Sequence, residues 1–320
     1  MALPTNTATT YANVGIREDL SDIIYRVAPE ETPFTNNIGS GKATNTFHEW
    51  QTENLTAAAD DNAVLEGDDA TLDAANVPSR VGNRCQISDK TAVVSGTNDA
   101  VNKAGRKTEM ARQVMLKGME LARDIEKQML SNKASVAGAA GTARQSAGIE
   151  SWIVTNASRG AGGSGGGFSG GVVSAPTDGT QRAFTETLLK AAHLLAFNNG
   201  GKPNQLYMGG FQKQAFSAFA GVAAIRQNQS DASPATIIGA ADVYVGDFGK
   251  LTAIPHPYGV RSRTVIGVDP RMASKDMLRP MRNWELSKTG DTEKRQLLEE
   301  YTLKVSNELA HFVVADLTTS

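Results

Sequence analysis

The chain has 320 residues, 40% of them hydrophobic and 21% charged; 32 Lys plus Arg face 34 Asp plus Glu, for a formal net charge of -2. Such values fit one elaborated folded domain or two ordinary ones, with no global basic field to draw in nucleic acid and no acidic field to repel it. The single cysteine, Cys85, excludes an intramolecular disulfide and a multi-cysteine zinc site, and reads as a small buried filler. No segment approaches the ~20 apolar residues of a membrane span. The N-terminal MALPTNTATTYANVG lacks the basic start and apolar core of a signal peptide, so a reducing cytoplasm is the expected setting, with no membrane partner.

Residues 1–20 are polar and read as an extended arm. Leu20, Ile23, Ile24 and Val27 then fit a short amphipathic helix that Pro29 ends, and Glu-Thr-Pro-Phe is expected to hold Phe34 in extended chain. Residues 43–89 carry no Lys or Arg before Arg80, but contain Glu49, Glu53, Asp60, Asp61, Glu66, Asp68, Asp69 and Asp73. The ends of this stretch alternate like strands, from Phe47 to Trp50 and from Val81 to Ile87, around a polar, Ala-rich middle. The pattern predicts a long β-hairpin with an acidic tip. A two-stranded ribbon is marginal alone in water, so it needs a surface to lie on, in this chain or in another copy.

Residues 99–131 give the clearest helix, with Ala111, Val114, Met115, Gly118, Ala122, Ile125 and Met129 on one face and Asn98 or Thr97 as cap. Residues 134–180 are small and glycine-rich, interrupted by Ile149–Thr155, which reads as a strand. A helix is expected over 181–198 with Gly200 as its stop, then a buried strand at Gln205–Met208 and a helix opening at Gly210. From residue 242 the pattern turns to strands, ending in EEYTLKVSNELAHFVVADL, where Tyr301, Leu303 and Val305 alternate with Glu300, Thr302, Lys304 and Ser306. The whole is an α+β chain with two pieces that protrude from any compact core.

Little in it points to chemistry. Gly160, Gly162 and Gly165 match G-x-G-x-x-G, the basis of an alternative reading as a soluble nucleotide-binding enzyme, but no helix follows to face a pyrophosphate. His48, His193, His256 and His311 form no metal-ligand spacing, and the paired carboxylates at 60–61 and 68–69 lie on a polar tip without an apolar pocket. The expectation is no enzyme, no catalytic residue, no cofactor and no metal. The scattered basic residues lack the interleaved aromatics of a stacking platform, which leaves only non-specific contact with DNA.

Three stretches carry a resemblance: SDIIYRVAPEETPFTNNIG, VYVGDFG with its following strand and proline turn, and EYTLKVSNELAHFVVADL. They resemble the SU10-like major head protein family, tailed-phage major capsid proteins of the HK97 type, from about Asp19 to Leu317. The resemblance implies an arm at 1–40, an extended loop at 41–95, a peripheral domain with a spine helix at 96–149, an axial domain at 150–262 and returning peripheral strands at 263–320. It implies self-assembly into hexamers and pentamers of an icosahedral head around double-stranded DNA, put together in the host cytoplasm and located in the virion. Separate scaffolding, portal and decoration proteins are the implied partners; an encapsulin-like compartment shell is the nearest alternative. The type member of the fold crosslinks through a lysine on the extended loop, yet no lysine lies between Lys42 and Lys90 here, so closure is expected to be non-covalent. The acidic loop is expected to meet basic side chains of a neighbour, with Arg106, Lys107, Arg112 and Lys117 of the spine helix as candidates.

Overall fold

A computed structural model describes residues 28–67, 69, 72–101, 103, 107–219 and 242–319; the helix expected at Leu20–Val27 lies outside them. Pro33 opens a short helix, α1 (Pro33–Asn37), because its fixed φ suits a first helical position. Phe34, expected in extended chain, is therefore helical, and it is fully buried against Tyr207 with ring centroids 5.4 Å apart. Four strands follow: β1 (Gly39–Lys42), β2 (Phe47–Thr52), β3 (Ser79–Arg84) and β4 (Gln86–Ser95).

The helix expected over 99–131 is broken and shorter. It is divided into α2 (Gly96–Ala100) and α3 (Glu109–Met129), with Val101 already extended. Ser95 caps α2 by accepting from the Asn98 amide. The side chain of Thr108 does not cap α3; Asp99, one helix earlier, accepts the Glu109 amide at 2.8 Å instead. An external cap of this kind cannot be read from local sequence, which is why the periodic pattern ran through the break. At ~1.5 Å per residue α3 is ~32 Å long.

Ile149–Thr155 is not a strand. It begins with a single helical turn, α4 (Ile149–Trp152), whose residues are all buried. Short apolar runs do not distinguish a buried strand from a buried turn of helix. The sequel is β5 (Ala157–Ser158), β6 (Gly167–Ser169), β7 (Val172–Ser174) and α5 (Glu186–Asn198). The last starts five residues later than expected, where Thr185 accepts the Leu188 amide, and stops before Gly200 at φ 78°. Then come β8 (Gln205–Met208), α6 (Gly210–Ser217), β9 (Val243–Gly246), β10 (Gly249–Pro255), β11 (Val265–Val268), β12 (Ala273–Glu285), β13 (Thr292–Val305) and β14 (Phe312–Val314).

These strands build a four-stranded sheet in the order β1-β12-β13-β4 and a six-stranded sheet in the order β5-β14-β11-β8-β10-β9. The C-terminal segment serves both, with β12 and β13 in the first and β11 and β14 in the second. Helix α3 lies on one face of the four-stranded sheet, where Gly118 approaches Leu297 and Met110 packs with Ala92 and Val94. The alternation in β13 is only half kept. Tyr301, Leu303 and Val305 are buried as expected, but Thr302 and Glu300 are buried too, at 0% and 3% exposure. The β2–β3 ribbon covers that second face, and Glu300 is matched by Arg144 and Arg279.

One buried carboxylate joins α1, α3 and the turn after β10. Glu126 Oε1 accepts from the Phe34 amide at 2.7 Å and from His256 Nε2 at 3.0 Å, while Oε2 accepts from the Thr35 amide at 2.8 Å and from the Thr35 hydroxyl. The side chains of Glu126 and His256 are both fully buried. His256 Nδ1 accepts the Gly259 amide at 2.8 Å, which places the ring proton on Nε2, toward the carboxylate. Glu126 thus supplies from outside the N-terminal acceptor that α1 lacks.

Glu126→Gln is expected to destabilise the fold by about 2–4 kcal/mol, because one amide oxygen cannot accept from four donors. Urea unfolding reads this; an unchanged midpoint contradicts the role. A second outcome concerns His311, which accepts the Asp269 amide on Nδ1 and is pushed down to about 4 by burial. As pH falls, the unfolded histidine binds its proton near its ordinary value while the buried ring stays neutral. Stability therefore drops between about pH 6.5 and 4, by on the order of 3 kcal/mol from this group. His311→Gln should flatten that part of the profile, and an identical slope in the variant contradicts the assignment.

Candidate subunit interface

The root of the extended loop is firmly built. Strands β2 and β3 pair antiparallel from Phe47↔Arg84 to Thr52↔Ser79. The Trp50 indole donates to Val305 O at 3.0 Å, and its ring lies 5.4 Å from that of Trp152. Asn83, fully buried, donates from Nδ2 to Leu303 O at 2.8 Å and accepts the Ala147 amide on Oδ1 at 2.9 Å. His48 Nε2 lies 2.8 Å from Asp276 Oδ2 on β12. Gly82 has no room for a side chain, since a Cβ there would come 2.8 Å from His48 O.

Beyond Thr52 and Ser79 the ladder stops, so the long hairpin expected from sequence is a ribbon of six residue pairs carrying an irregular loop. Thr56 and Asn76 still touch, at 3.4 Å. Every described residue from 53 to 78 is exposed. Among them stand five large aliphatic residues: Leu55 at 92% exposure, Val64 at 83%, Leu65 at 78%, Leu72 at 94% and Val77 at 84%. Sequence reasoning read this middle as polar and missed them. Their signal was present in the spacing of single aliphatics between carboxylates, which fits neither a helix nor a strand period.

The predicted acidic residues are distributed as follows. Glu49 pairs with Arg80 across the ribbon at 3.0 Å. Glu53, Asp60, Asp61, Glu66 and Asp73 are exposed and make no ion pair among the described residues, and Asp69 is exposed as well. Asp68 and Arg106 lie outside the described residues. On α3, the helix expected to be the spine, Arg112 is held by Glu109 at 2.7 Å and Lys117 by Glu120 at 2.8 Å, so two of the expected basic partners are engaged within their own helix. Lys107 precedes α3 and is exposed.

The glycine loop is packed onto the body of the chain. The Gly160 amide donates to Asp316 Oδ2 at 3.0 Å, so a carboxylate of the chain itself takes the place a phosphate would need. A Cβ on Gly160 would sit 2.0 Å from Thr180 O, and one on Gly179 would sit 2.6 Å from Gly160 O. Close backbone approach explains these glycines, and the next helix begins only at Glu186. Beside the loop, Arg261 Nη1 meets the fully buried Glu150 at 3.0 Å, and Arg263 reaches Asp178 at 3.2 Å. Burial raises the Glu150 pKa, and the Arg261 hydrogen bond lowers that of Asp178. These pairs hold the loop base; no local motif announces them.

Other candidate chemistry is equally structural in placement. Cys85 is buried, and desolvation pushes its thiol up to about 11, which disfavours the reactive thiolate. Among the described residues no group of three or more His, Cys, Asp or Glu could hold a metal ion, and no helix is long and apolar enough to cross a membrane. A cavity of about 560 Å³ lies at the loop root, between Thr52, Val81, Trp152, Phe168 and Leu309.

The fold has many relatives among solved phage structures. A Cyanophage A-1(L) capsid chain superposes with TM-score 0.67 at 11% identity, covering 95% of this chain and 98% of that one. A Mycobacterium phage Bobi chain gives 0.61 at 9% identity, covering 94% and 95%. A chain from the Phage G structure of gp27 major capsid proteins and gp26 decoration proteins gives 0.53 at 11% identity, covering 99% and 100%. These likenesses make the architecture the HK97 type. A curated relative, the major capsid protein of Escherichia phage Phieco32, is 33% identical over 135 residues, which is 42% of this chain and 38% of that protein. The model of the SU10 major capsid protein family matches residues 3–318, nearly the full length, and the chain belongs to that family.

Proposed function

We propose that this protein is the repeating unit of a phage head, and that its work is mechanical. Copies tile a closed icosahedral shell of hexamers and pentamers around double-stranded DNA, assembled in the host cytoplasm, with scaffolding, portal and decoration on separate proteins. In this reading the four-stranded sheet with α3 is the peripheral domain and the six-stranded sheet with α5 and α6 is the axial domain, which takes β11 and β14 out of the peripheral strands expected at 263–320. The observation that carries it is the extended loop, fixed at its root and exposed at every described residue from 53 to 78, with five aliphatic side chains in water. Large aliphatic side chains gathered on one projecting segment and left in water point to an interaction site. Membership of a capsid protein family supports the partner as another copy of the same chain.

Joining Thr52 to Ser79 through an Asn-Gly turn removes the loop where the ladder already closes. The shortened chain is expected to keep its circular dichroism and its thermal midpoint, because the deleted residues bury little of the body. The parent chain should sediment as large particles that are closed shells in electron micrographs, and the shortened chain as small species. Closed shells from the shortened chain would overturn the reading.

A further inference from the structure

Charge collects at the base of the glycine loop. Arg159, Arg182, Arg261 and Arg263 meet Glu150, Asp178 and Asp316 there, four guanidinium groups against three carboxylates. Arg261 spans Glu150 and Asp178, and Arg263 donates to Asp178 and to Gly179 O, each at 3.2 Å. Arg182 Nη2 donates to Ser158 Oγ at 2.8 Å, and Asp316 Oδ2 accepts the Gly160 amide. Arg159 is the exception. Its side chain is 5% exposed, and Nε, Nη1 and Nη2 are all buried without a hydrogen-bond partner among the described residues. Its ion-pair partner, Glu150 Oε1, stands 3.6 Å away and already accepts from Arg261 at 3.0 Å.

The charges leave one guanidinium over, and the hydrogen bonds agree. With Nε of Arg182 and of Arg263, five buried guanidinium nitrogens of the cluster lack an acceptor among the described residues. The one buried carboxylate oxygen of the cluster without a hydrogen bond, Asp316 Oδ1, lies 3.7 Å from Arg263. Burial also raises the Glu150 pKa, which weakens the negative side further. Arginine does not escape by losing its proton, and a buried cation left unmatched is strongly destabilising. We propose that Arg159 holds a monovalent inorganic anion of chloride size at the base of the glycine loop. A single negative charge matches the surplus. Small size follows from burial: the Arg159 nitrogens are shut off from solvent, so neither a nucleic-acid phosphate nor a carboxylate of another chain reaches them. The ion is enclosed as the loop folds onto the body. It ties together the start of the loop at Arg159, α4 at Glu150 and the segment after β14 at Asp316. This site does not depend on the shell reading, and each can fail without the other.

The test uses the full-length chain as sodium chloride replaces sodium gluconate at constant ionic strength, gluconate being too large to be enclosed. Chloride binding is read by the chlorine NMR line width and by the thermal midpoint. The parent is expected to broaden the chloride line and to gain about 2 °C for each tenfold rise in chloride once the site fills. Arg159→Met keeps the reach of the side chain without its charge. It should lose both responses and should melt in gluconate no lower than the parent, because the unmatched cation is gone. Arg282→Met, at an exposed position, should keep both responses. A parent that broadens no chloride line, or responses that survive Arg159→Met, overturn the proposal. Unfolding of Arg159→Met in gluconate overturns it too, since the chain itself would then supply what Arg159 binds.

Discussion

A loop that leaves the body with aliphatic side chains in water sets the terms for everything else in this molecule. Burying one Leu or Val stabilises by roughly 1.5–3 kcal/mol, so Leu55, Val64, Leu65, Leu72 and Val77 hold a large reserve that folding alone does not use. Only part of it can appear as affinity, because association also costs translational, rotational and side-chain freedom. In the proposed shell a weak contact would suffice, since each copy would give one loop and receive another. On the proposed reading the loop needs no ladder of its own, because its order would come from the surface that receives it.

That arrangement needs a stiff root, and the chain provides one from buried polar groups rather than from more sheet. Asn83 ties β3 to β13 and to Ala147, Trp50 reaches Val305, and Glu126 gathers α1, α3 and the turn at His256. Asn83 and Glu126 are each satisfied by several partners and the Trp50 indole by one, so none can shift without leaving a donor or acceptor unmet. The body thereby becomes a rigid base from which the loop projects, and the seam between the two sheets is fixed by β11, β14 and Glu126 rather than by a linker.

How much of this was legible in the sequence follows from the range of the interactions. The α3 stripe, the strands at the loop root and the C-terminal strands rest on local periodicity, and they were found, with errors at their ends. The break between α2 and α3 depends on Asp99 reaching the Glu109 amide, and α4 depends on the close approach of Gly148 to Ser131. Glu126 and His256 are 130 residues apart, and no spacing rule joins them. The candidate interface was half legible: the acidic residues drew attention to the loop, but their charge hid the aliphatics between them. Likewise Arg112 and Lys117 looked available until the structure showed each beside its own carboxylate.

Hydrogen exchange at the backbone amides of residues 53–78, compared between dissociated subunits and assembled shells, probes the central claim most directly. The account predicts exchange near the rate of unstructured peptide in the free subunit and strong protection in the shell, with the β2–β3 amides protected in both. Equal exchange of the loop in the two states would contradict it, since the loop would then find no surface on a neighbour.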